Sequence, residues 1–110
     1  MVTRWSLWYT TKVLDNGDFR GDKIVTIDGD ISVAKEKMLK ILQRALVRNP
    51  KHDYLHAMLF PDSSDKSEND IDLLVRVRDK FSNRRLLRAK NPDKLFVQGY
   101  GSEALEKLEL

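Results

Sequence analysis

The sequence predicts an α+β domain: a small mixed sheet of four to five strands, one main helix packed across it, and a short C-terminal helix. Three observations carry that expectation. Residues 3–13 alternate at the two-residue period of a strand, residues 31–48 repeat apolar side chains every three to four positions, and clusters of Asp, Asn, Gly or Pro separate the segments. At 110 residues the chain suits one domain and is too short for two ordinary ones.

In the first segment Trp5, Leu7, Tyr9, Thr11 and Val13 share one face, and Arg4, Ser6, Trp8, Thr10 and Lys12 the other. Asp15, Asn16, Gly17 and Asp18 follow, a turn signal because Asn and Gly tolerate positive φ. A second strand is expected at Lys23–Ile27, where four β-branched residues in a row favour the pleated conformation, and it should pair antiparallel with the first. Asp30 or Ser32 is the candidate N-cap of the main helix, 31–48, which Asn49 and Pro50 stop. Ala34, Met38, Ile41, Leu42 and Ala45 form its apolar stripe, and Lys37, Lys40, Arg44 and Arg48 recur beside it as a basic row.

Residues 53–60 alternate again, but both faces are largely apolar, which predicts a central strand. The polar stretch 61–69 is expected to be a mobile acidic loop. Residues 71–78 read as a strand with Leu73, Val75 and Val77 facing in and Arg76 and Arg78 facing out. A short helix is assigned within 79–90, a short strand at Leu95–Val97, and a last helical turn or two after Ser102. Hairpin, helix, then strand is the element order of the β-grasp architecture, which other α+β folds share and which implies no activity.

Composition narrows the chemistry. With 41% hydrophobic and 34% charged residues the chain is too apolar for a disordered polymer and too charged for a membrane protein. No cysteine is present, so disulfides, thiolate metal sites and Cys nucleophiles are excluded. Met1 is not followed by a leader-like apolar run, and an intracellular, cytoplasmic location is expected. His52, Asp53 and His56 form the one histidine constellation. On a strand the two imidazoles sit about 13 Å apart, too far to share an ion. Asp70 and Asp72 read as solvated turn residues, Ser63, Ser64 and Ser67 have no nearby base, and the five glycines fit no phosphate-binding fingerprint. The expectation is a non-enzymatic domain with neither metal nor cofactor.

Charge distribution is the strongest remaining signal. The net charge is only +3, but eight basic residues against two acids fall between Arg76 and Lys94, and six against one between Lys35 and Lys51. Acid gathers in Asp62, Asp65, Glu68, Asp70 and Asp72, and again in the tail at Glu103, Glu106 and Glu109. The expected interface is therefore Arg76, Arg78, Arg84, Arg85 and Arg88, helped by Lys37, Lys40, Arg44 and Arg48, neutralising the phosphates of RNA or DNA. Trp8 or Tyr100 would stack on bases. No base-reading motif is present, so contact would be directed at the backbone. The alternative is a protein-interaction module, a small adaptor or inhibitor that docks an acidic partner through a sheet edge or the basic face. Trp5 and Trp8 face opposite ways, which leaves one of them for a partner, the C-terminal helix or a homodimer mate to cover.

Overall fold

The computed structural model describes residues 2–12, 19–49, 54–78 and 95–100, with only the backbone described at Arg78 and at 95–100. Five strands form one mixed sheet: β1 (Arg4–Thr10), β2 (Lys23–Asp28), β3 (Leu55–Pro61), β4 (Leu73–Arg78) and β5 (Leu95–Tyr100), in the order β2-β1-β3-β4-β5. The pairs β1/β2, β1/β3 and β3/β4 are antiparallel and β4/β5 is parallel. The helix α1 (Ile31–Arg48) lies between β2 and β3 in sequence, so the hairpin, helix and strand follow in the expected order. The expected helices in 79–90 and after Ser102 lie outside the described residues.

Local chemistry sets the bounds of α1. The Asp30 carboxylate accepts a hydrogen bond from the Val33 N–H at 2.9 Å, satisfying one of the backbone donors that a helix start leaves open. At the other end the Asn49 N–H reaches back to the carbonyls of Ala45 and Leu46. The helix buries Ala34, Met38, Leu39, Leu42 and Leu46 against one face of the sheet, where Trp5, Leu7, Ile27, Leu55, Ala57, Leu59, Leu73, Val75 and Val77 receive them. The stripe is thus rotated from the expected one: Leu39 and Leu46 join it, while Ile41 and Ala45 are only half-buried at its margin. The i, i+3, i+7 spacing of Leu39, Leu42 and Leu46 was the signal for this rotation.

Opposite α1 the sheet buries a second apolar cluster, Met58, Phe60, Ile71 and Leu74, with Trp8 and Phe19 packed against it. β3 is buried on both faces, which explains its continuous apolar run. The stretch between β3 and β4 holds a single 3-10 turn, Glu68–Asp70. Asp70 accepts hydrogen bonds from the Ser67 N–H and hydroxyl, and Lys66 donates to the Asp62 and Ser64 carbonyls. Gly21, at φ +114°, lies against the backbone of Tyr9, and a Cβ there would come within 2.6 Å of the Tyr9 carbonyl carbon. Only glycine allows the chain entering β2 to pass so close to β1.

Candidate nucleic-acid interface

Helical periodicity puts the cations of α1 on its outer side. Lys37, Lys40, Arg44 and Arg48 are all exposed, on turns that follow one another along the helix, because the opposite side is committed to the sheet. Lys40 lies 3.6 Å from Glu36, one turn earlier, and the Lys37 ammonium lies 3.4 Å from the Asp28 carbonyl. Neither contact is strong: an exposed i, i+4 pair contributes about 0.3–0.5 kcal/mol and is screened by salt. Among the described residues no carboxylate pairs with Lys37, Arg44 or Arg48.

The row ends in a cleft. The last turn of α1 and the adjoining ends of β1 and β2 enclose a volume of about 490 Å³ lined by Tyr9, Thr11, Lys23, Ala45, Arg48 and Asn49. Tyr9 and Lys23 face each other directly across the β1/β2 ladder. The Asn49 side-chain amide donates to the carbonyls of Thr11 at 3.4 Å and Tyr54 at 3.2 Å, tying the helix end to the exit of β1 and the entry of β3. Asp22, next to Lys23 in sequence, is engaged by Lys12 at 3.4 Å.

The acidic residues gather at the other end of the sheet. The Asp62 N–H donates to the Arg4 carbonyl, at the start of β1, whereas the cleft lies at its end beside Tyr9 and Thr11. The length of β1 separates the two by about 20 Å, more than two Debye lengths at physiological salt. Asp62 and its neighbours therefore do little to neutralise Arg48 or Lys23.

Arg76 does not join this surface. It was expected to face outward, but it is only 3% exposed, on the side of β4 away from α1 and in the same file as the fully buried Leu74. The alternation of β4 was read correctly; the assumption that one of its faces meets water was not. Its direct cross-strand neighbour is His56, 6% exposed, which in turn pairs with Thr10 of β1. Burial, and then the positive charge of Arg76, push the His56 imidazole down to about 4, so it is neutral at physiological pH. Its Nε2 is buried and makes no hydrogen bond, as is the indole nitrogen of Trp8 on the same face.

Neither tryptophan offers an open ring. Trp5 is buried under α1 with its indole N–H donating to the Gly29 carbonyl, and Trp8 is half-buried with the Arg20 guanidinium 4.6 Å from its ring centre. The chain matches no known protein family, no curated protein and no solved structure. Of the remaining expected contacts, Arg84, Arg85 and Arg88 lie outside the described residues, as do His52, Asp53 and the side chains of Arg78 and Tyr100. Among the described residues no group of three or more His, Asp or Glu side chains is placed to hold a metal ion, and no helix is long and apolar enough to cross a membrane. Lys23 was missed by the sequence reading, because its approach to Arg48 depends on how α1 lands on the sheet.

Proposed function

We propose that this domain binds a polyanion, the backbone of RNA or DNA, through the outer face of α1. The observation that supports this reading is the run of exposed cations Lys37, Lys40, Arg44 and Arg48, mostly without carboxylate partners and continued by Lys23 across the cleft. Lysine and arginine heads in this setting exchange water and counterions for phosphate oxygens at small desolvation cost, and released counterions supply much of the affinity. Arg76 has no part in the contact. Arg78, Arg84, Arg85 and Arg88 would extend the surface if they reach it. No catalytic role is assigned.

Four phosphate contacts on a single strand imply a slope of log affinity against log salt of about −3, or a loss of about 50-fold between roughly 50 and 200 mM. Fluorescence anisotropy with a labelled single-stranded oligonucleotide measures it. Binding that is absent at the lower salt, or indifferent to salt, contradicts the proposal.

A second reading has its own observation. β2 is an edge strand, and Ile24 on it is 57% exposed, so a partner strand has both open backbone groups and an apolar contact to meet. Lys23 at the start of the strand would favour an acidic partner. Copurification of one defined protein after nuclease treatment would move the weight to this reading, and loss of the partner after nuclease would remove it.

A further inference from the structure

The cleft at the end of α1 differs in kind from the row that leads to it. We infer that it is a subsite for one unpaired nucleotide, taking a phosphate between Lys23 and Arg48 and a planar base against Tyr9. The inference rests on the reading of α1 as a polyanion surface and adds a preference for single strands over duplex.

Four features carry it. The volume, about 490 Å³, falls within the range of small-ligand sites and is far too small for a duplex. Its lining supplies two cations from separate elements, Lys23 of β2 and Arg48 of α1, together with the Thr11 hydroxyl, and contains no acidic side chain. Tyr9 is half-buried and packs against the core while also lining the cleft, so its ring is held in place and needs little ordering when a base arrives. The Asn49 amide, bonded to the Thr11 and Tyr54 carbonyls, fixes the floor to three elements at once.

The C-terminal carbonyls of α1 oppose an anion here with about half an elementary charge. Two full cations outweigh that, so the balance suits one phosphate better than a cluster of them. Arg48 belongs both to the row and to the cleft rim, which gives a strand running along α1 a direct path for one nucleotide into the cleft. A base inside a duplex is stacked and paired and has no free face to offer Tyr9, whereas an unpaired base does.

The test compares a single-stranded oligonucleotide with a duplex of the same length, and adenosine monophosphate alone, on the native chain and on Lys23→Gln and Tyr9→Leu. Lys23 is exposed, so its substitution leaves folding intact, and leucine keeps apolar volume at position 9 while removing the ring. The native chain should bind the single strand about tenfold more tightly than the duplex. Each variant should lower single-strand affinity while leaving duplex affinity unchanged. Equal native affinity for both forms, or variants that weaken both alike, overturns the subsite and leaves the α1 surface standing. Binding of the mononucleotide with no binding of either oligonucleotide keeps the subsite and overturns the polyanion reading. Binding of none of the three overturns both.

Discussion

Acidifying the protein from pH 6.5 to pH 4 is expected to remove about 3 kcal/mol of folding stability through His56 alone. In the folded chain the imidazole stays neutral down to about 4, because a charge there would sit out of water beside the Arg76 guanidinium. In the unfolded chain it takes up its proton near the ordinary value of 6.5. Between these limits the unfolded state holds more protons than the folded one, so stability is fully present above pH 6.5 and declines as the pH falls towards 4. Urea unfolding of the native chain and of His56→Gln across this range isolates the effect, since the carboxylates titrate in both proteins. The native profile should fall more steeply. Parallel profiles would mean that the imidazole is not held neutral in the folded protein.

The second large effect concerns Arg76. Its side chain is packed among Met58, Leu74 and His56 on the buried face of β4, so Arg76→Ala should lose about 2–4 kcal/mol, much of it from the packing of the aliphatic stem. Arg76→Met keeps most of that volume and should lose less than the alanine variant. With the guanidinium gone, the His56 titration, followed by NMR, should move up from about 4, but not to its ordinary value, because burial is the larger cause. Arg76→Met should also bind an oligonucleotide as the native chain does. An unfolding midpoint equal to the native one for Arg76→Ala would contradict the interior placement.

Arg76 also marks where the sequence stops being legible. Period-two alternation says that Arg76 lies on the opposite face of β4 from Val75 and Val77, and it does. It does not say whether that face meets solvent. Leu74, in the same file as Arg76, was the local hint that it does not. By contrast, the bounds of α1 were readable because Asp30 and Asn49 act within one helical turn, and the β1/β2 pairing because a turn signal joins two alternating segments. The basic row on α1 was readable for the same reason as its apolar stripe: one periodicity places both. The cleft was not, because Tyr9, Lys23 and Arg48 meet only after β2 has paired with β1 and α1 has packed on the sheet. Contacts that depend on three elements leave no spacing for a single sequence to show.

The claim on which the functional reading turns is that exposed cations of α1, and not Arg76, meet the phosphates. The salt dependence of single-strand affinity for three proteins measures this: the native chain, Arg76→Met, and a variant with Lys37→Gln, Lys40→Gln, Arg44→Gln and Arg48→Gln together. All four α1 side chains are exposed, so their loss should leave the unfolding midpoint within about 0.5 kcal/mol for each site. The slope should shrink by about 0.7 for each cation removed, to near zero in the fourfold variant, and stay at its native value in Arg76→Met. A fourfold variant that keeps the native slope, or an Arg76→Met protein that loses it, would contradict the account.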